Sequence, residues 1–153
     1  MLHPPVQSDF TVELDVPSEM DIIPLVVDLG TAMMKLRGYG RDDRSTIRLA
    51  IHETLVNAIQ HGSTGKKNPR IRIRFYFKKS VFYTDIEDEG EGFNPDILAD
   101  PTSPENILKP GGRGIFLVRH LTKDFNVTVI PKKGVRVTFS MMKKSKQQDD
   151  GPD

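Results

Sequence analysis

The sequence predicts an α/β chain of the α+β kind: a two-layer sandwich whose mixed, mostly antiparallel sheet is covered on one face by helices. Three observations predict it. Five segments, near residues 10–16, 70–77, 81–88, 125–129 and 135–141, alternate apolar and polar residues, the period of half-buried strands. Three others, near residues 19–36, 42–60 and 113–121, repeat apolar residues at three- and four-residue spacing, the period of helices with one buried face. The order strand, helix, helix, strand, strand, loop, helix, strand, strand gathers the helices over one side of a hairpin-rich sheet.

Phe10, Val12, Leu14 and Val16 share one face of the first strand, and Pro17 ends it. Ser18 is the natural N-cap of the helix that follows, with Ile22, Leu25, Val26, Leu29, Met33 and Leu36 as its apolar face. Pro24 either delays the start of this helix or kinks it. Gly38 and Gly40 then break the chain. In the second helix Ile47, Ala50, Ile51, Thr54, Leu55, Ala58 and Ile59 recur on one side. Asp42 and Asp43 favour its amino end and Gly62 its close.

The next two strands form a hairpin through the short turn at Lys78–Ser80. Ile71, Ile73, Phe75 and Phe77 face one way, as do Phe82, Thr84, Ile86 and Asp88. On the other face, Arg72 and Arg74 meet Asp85 and Glu87 as cross-strand ion pairs. This partition directs the carboxylate of Asp88 toward the core at a strand end, which is costly without a specific partner. Residues 89–112 lose all periodicity and are rich in glycine and proline, the composition of a mobile lid or binding loop. Ile115, Val118 and Leu121 stripe the third helix. Two more alternating segments, joined by Pro131–Gly134, close the sheet as a second hairpin.

The 153 residues suit one domain, with 37% hydrophobic and 28% charged residues. Twenty-two Lys and Arg balance 21 Asp and Glu to a net +1. That argues against a nucleic-acid binder working through bulk charge. The absence of cysteine removes disulfides, thiolate metal sites and cysteine nucleophiles. No apolar run is long enough to span a membrane, and Met1 to Ser8 has no secretory character, so a cytoplasmic location is expected. Residues 1–9 read as an N-terminal extension, 10–142 as the domain and 143–153 as a disordered polar tail.

Three clusters could carry chemistry. Glu53, Asn57 and His61 are spaced by four on one stripe of the second helix. Oxygens one turn apart suit a hard cation such as Mg²⁺, or can orient a hydroxyl or water; a solvated polar face has the same pattern. Asp88-Glu-Gly-Glu-Gly-Phe93 follows a strand. Gly90 and Gly92 permit close approach of a ligand, and Asp88 can accept from the exocyclic amine of a base; a plain glycine-rich turn also fits. Gly111-Gly-Arg-Gly114 opens the third helix, where free N–H groups attract anions and where a simple hinge is the alternative.

Taken in order, the three clusters resemble the GHKL ATP-binding superfamily, and within it the small anti-sigma-factor serine/threonine kinases. Glu53-Thr-Leu-Val-Asn57-Ala-Ile-Gln-His61-Gly62 looks like the N box, Asp88 to Phe93 like the G1 box, and Gly111-Gly-Arg-Gly-Ile-Phe-Leu117 like the G2 box. The resemblance implies a Bergerat ATP-binding fold and the cofactors ATP and Mg²⁺. It makes Asn57 the Mg²⁺ ligand and Glu53 the general base toward a serine or threonine hydroxyl. Asp88 would hold the adenine amino group, and Gly90 and Gly92 would line the base. Gly112, Arg113 and Gly114 would meet the phosphates, while His61 would only end its helix. The implied partners are an anti-sigma-factor antagonist with a STAS-like domain, which is phosphorylated, and a sigma factor, which is sequestered. Neither nucleic acid nor membrane is implied, and homodimers are common among such relatives.

One position departs from the pattern. Many members of the superfamily carry Gly-Thr before the last strand, where the threonine helps hold adenine. Here the pair is Gly134-Val135, and Thr138 lies on the opposite strand face. The alternative function is therefore a non-catalytic ATP-sensing module of the same fold that binds partner proteins. A sensor histidine kinase is disfavoured, because the residues ahead of the first strand leave no room for a phospho-accepting dimerisation helix.

Overall fold

The computed structural model describes residues 9–62, 65–90 and 113–144, with the backbone alone at Arg113. The chain runs β1 (Thr11–Pro17), α1 (Ile23–Leu36), α2 (Arg41–His61), β2 (Arg70–Lys78), β3 (Val81–Asp88), α3 (Arg113–Leu121), β4 (Lys123–Ile130) and β5 (Gly134–Met142). The five strands form one sheet in the order β1-β2-β3-β5-β4, and every pairing is antiparallel. β5 therefore inserts between β3 and β4, so the last hairpin returns to the middle of the sheet. Residues 91–112 of the expected lid, including Gly92 and Gly112, lie outside the described residues.

The period of two holds for the apolar residues of the three central strands. Ile71, Ile73, Phe75 and Phe77 on β2 are buried, as are Phe82, Thr84 and Ile86 on β3 and Val135, Val137, Phe139 and Met141 on β5. All of these except Thr84 and Val135 meet Val26, Met34, Ile47, Ile51 and Leu55 from α1 and α2 in a single core. Complete burial of a large apolar side chain stabilises the fold by about 1.5–3 kcal/mol. Among the described residues no helix is long and apolar enough to cross a membrane.

The first helix differs from its expected form. Ser18 does not cap it: its N–H donates to the Pro69 carbonyl, and a 3₁₀ turn at Met20–Ile22 comes first. The α-helix begins at Ile23 with Pro24 in its first turn, where a missing N–H costs nothing. Its buried face is Ile23, Val26, Val27, Gly30, Met33 and Met34, whereas Leu25 is 62% and Leu36 52% exposed. This helix is apolar nearly all round, so two adjacent stripes competed, and packing on α2 chose the one containing Gly30. A methyl group on Gly30 would lie 2.8 Å from Ile51 Cδ1 and 3.1 Å from Phe75 Cζ.

The outer sheet face carries the ion pairs, with one change of partner. Arg74 Nε donates to Asp85 Oδ2 at 3.0 Å, and Thr138 Oγ1 donates to Asp85 Oδ1 at 2.9 Å. Glu87 accepts from Arg136 Nε on β5 at 2.8 Å, although Arg72 is its register partner on β2. The polar tail expected from Lys143 begins with two anchored residues. Lys143 Nζ donates to the Arg37 carbonyl at 3.1 Å, and the Lys144 N–H to Asp43 Oδ2 at 3.1 Å. Residues 145–153 lie outside the described residues.

Candidate functional site

α2 is the spine of the site. Glu53 and Asn57 lie one turn apart and half-buried, beside the buried stripe of Ile47, Ile51, Thr54, Leu55 and Ala58. His61 ends the helix and is exposed, with Gly62 as C-cap. At a rise of about 1.5 Å per residue, Glu53 and Gly62 stand ~13 Å apart along the axis. Each meets a different part of the fold.

At the Gly62 end the partner is Asp88. A methyl group on Gly62 would lie 2.4 Å from Asp88 Cγ and 2.6 Å from Oδ2, so the helix end sits directly against the carboxylate. The Gly90 N–H donates to Asp88 Oδ1 at 2.7 Å, which fixes the group as the chain leaves β3. A methyl group on Gly90 would lie 2.4 Å from the Gly62 carbonyl oxygen. On the third side, Gly134 opens β5 with φ +141°, and a methyl group there would lie 1.7 Å from the Asp88 carbonyl oxygen. Burial pushes the Asp88 carboxyl above its ordinary value of 3.8, and the Gly90 N–H works in the opposite direction. Desolvation is the larger effect, as expected for an inward-facing carboxylate with one donor.

Gly62 and Gly134 are the residues that sequence reasoning missed as site components. Gly62 reads as a helix stop and Gly134 as a turn. Their shared property is close approach to Asp88, visible only once α2, β3 and β5 are side by side. Val135, buried to 1% exposure, is the register partner of Asp88. Thr138 lies on the outer face, bound to Asp85, and so supplies no hydroxyl on the Val135 side.

At the Glu53 end the partner is the start of α3. A methyl group on Gly114 would lie 2.3 Å from Glu53 Oε2 and 3.2 Å from both its Cβ and Cδ. His52 Nδ1 stands 3.7 Å from Glu53 Oε1. Between the two ends, the Asn57 side chain makes no hydrogen bond among the described residues, which leaves its amide oxygen uncommitted. No group of three or more His, Cys, Asp or Glu that could hold a metal occurs among the described residues. Mg²⁺ does not need such a cage, because it is commonly held by one or two protein oxygens, substrate phosphates and water. The fold thus brings Glu53, Asn57, Asp88, Gly90 and Gly114 to one side of the molecule around α2. Gly92 and Gly112 lie outside the described residues, as does the side chain of Arg113.

Comparison with known proteins bears on the family and the fold. The serine-protein kinase RsbW of Staphylococcus aureus (strain MRSA252) is 28% identical over 149 residues, covering 92% of this chain and 91% of its own. The serine-protein kinase RsbW of Bacillus licheniformis is 24% identical over 146 residues, covering 92% and 90%. The crystal structure of the RsbU and RsbW domains of Rv1364c from Mycobacterium tuberculosis superimposes with a TM-score of 0.63 over 87% of this chain. It has 13% sequence identity, and the match spans 32% of that longer chain, a likeness of fold. Residues 16–141 match the histidine kinase-like ATPase domain, and the chain belongs to that family.

Proposed function

We propose that this chain is an ATP-dependent serine/threonine protein kinase of the anti-sigma-factor type. Its substrate is an anti-sigma-factor antagonist with a STAS-like domain, and it sequesters a sigma factor. The observation that carries the reading is the spacing along α2. One rigid helix sets Glu53 against the start of α3 and Gly62 against Asp88, the two ends that a nucleotide and its acceptor require.

In this reading Asp88 Oδ2 accepts from the adenine amino group, while the Gly90 N–H holds Oδ1. The missing side chains of Gly62 and Gly90 let the base lie against the backbone, and the motif gives Gly92 the same part. Asn57 offers its side-chain oxygen to Mg²⁺, which when bound neutralises charge on the phosphate oxygens. Gly112, Arg113 and Gly114 meet the phosphates with backbone N–H groups and one guanidinium. Glu53 accepts the proton of the incoming serine or threonine hydroxyl as the oxygen bonds to the γ-phosphorus and ADP departs. The kinase names of the RsbW relatives support the same chemistry.

The test is affinity capture with and without ATP, followed by phosphosite mapping on the captured protein. Glu53→Ala should keep Mg·ATP binding and lose transfer by about 100-fold or more. Transfer at the wild-type rate by that variant would remove Glu53 as the base. A second reading, an ATP-sensing module without transfer, is favoured by one observation. Val135 puts an apolar side chain opposite Asp88 where a hydroxyl would assist adenine. Nucleotide binding by calorimetry, with no transfer to any captured partner, would select this module.

A further inference from the structure

We propose that Gly114 is a positioning residue for Glu53: its missing side chain is the space in which the Glu53 carboxylate is held. The inference rests on the reading of Glu53 as the base, and it gives Gly114 a role besides the phosphate contact assigned above. Gly114 is the second residue of α3, where glycine loses more backbone freedom on folding than alanine would. Its backbone does not need glycine. Among the described residues only Gly38, Gly65 and Gly134 combine glycine with a positive φ. What needs glycine is the contact: a methyl group would lie 2.3 Å from Glu53 Oε2 and 3.2 Å from its Cβ and Cδ.

These distances set the outcome of adding a side chain. The nearest atom is the far end of a flexible side chain, so the main collision moves the carboxylate, while the Glu53 Cβ at 3.2 Å has to yield by only a few tenths of an ångström. Glu53 has room to swing, with 29% of its side chain exposed and His52, itself half exposed, next to it. Alanine also raises helix propensity at this site. Gly114→Ala therefore displaces the base without unfolding the protein. A helix-start glycine kept only for its N–H toward phosphate would behave differently, because alanine retains that N–H.

The experiment reads the Glu53 carboxyl resonance in protein labelled isotopically at glutamate, assigned by its loss in Glu53→Gln. Gly114→Ala should move this resonance, keep the melting temperature within about 4 °C of wild type, and leave the Kd for Mg·ATP within about twofold. Transfer to the antagonist should fall by about tenfold or more, since a misplacement on the order of 1 Å can cost about 100-fold. In a Glu53→Asp background, whose shorter carboxylate withdraws from α3, Gly114→Ala should add little further loss. An unmoved resonance would overturn the proposal. So would a Kd for Mg·ATP that rises in step with the loss of transfer, because the glycine would then serve the nucleotide. Wild-type transfer by Glu53→Gln would instead remove the base assignment, and the resonance shift would still test the positioning contact by itself.

Discussion

Glu87 pairs with Arg136 on β5 and leaves Arg72, directly opposite it on β2, without an ion pair among the described residues. Arg74, two residues on, is bound to Asp85, whose side chain is only 6% exposed. The two arginines should therefore differ sharply on removal. Arg74→Ala leaves a buried carboxylate held by Thr138 alone and should cost about 2 kcal/mol. Arg72→Ala should cost about 0.5 kcal/mol or less. Urea denaturation of the two variants checks the difference, and equal losses would contradict the pairing.

In the proposed function Asp88 sets binding against stability. Its carboxyl titrates above the ordinary 3.8 because burial penalises the charge. The folded state then binds a proton more readily than the unfolded chain. The resulting stability is present below pH 3.8 and is lost as pH rises through the folded value. Asp88→Asn keeps an oxygen for the Gly90 N–H but carries no charge. It should match or exceed wild type in melting temperature at pH 7, lose that acid-side increment, and bind ATP about tenfold more weakly. Thermal melts at pH 4 and 7, with calorimetry, separate the two effects.

Gly134 should be the least replaceable glycine around Asp88. Alanine there meets both a positive φ and the Asp88 carbonyl oxygen, so Gly134→Ala should cost about 2–4 kcal/mol and weaken ATP binding. Gly65 provides the control: φ is +78°, with nothing within 4 Å of an added methyl group. Gly65→Ala should cost about 1 kcal/mol from backbone strain alone. Similar costs for the two would mean that β5 yields easily at its first residue.

Tyr39 joins the α1–α2 connection to the sheet, donating its hydroxyl to the Ser80 carbonyl at 2.8 Å. Burial pushes its ionisation up to about 12 from an ordinary 10.0. The stability it adds is intact below pH 10 and disappears as pH climbs toward 12. An ultraviolet titration should show one of the three tyrosines ionising last. Tyr39→Phe should erase that step and cost about 1 kcal/mol.

Strand boundaries and the sandwich architecture were legible because period-two alternation is unambiguous wherever one sheet face is buried. Val81–Asp88 matches its expected limits residue for residue, and the third helix closes at Leu121 as expected. The face of α1 was not legible, since Leu25 and Leu29 are as apolar as Val26 and Val27, and only contact with Ile51 and Phe75 separates them. Arg136 was missed as the partner of Glu87 because the pairing spans 49 positions and depends on where β5 inserts. At the site, the residue types in the motifs were readable in order. The reasons for Gly62, Gly114 and Gly134 were not, since a glycine's neighbours belong to other elements.

The nine-residue interval from Glu53 to Gly62 behaves as a fixed ruler. A substitution on the solvent side of α2 leaves both marks in place, whereas deleting one residue between them turns everything beyond by about 100° and withdraws it by about 1.5 Å. Gly62 would then face away from Asp88 while Glu53 stayed against Gly114. Lineages of this chain should thus drift in composition on the solvent side of that interval and never in its length.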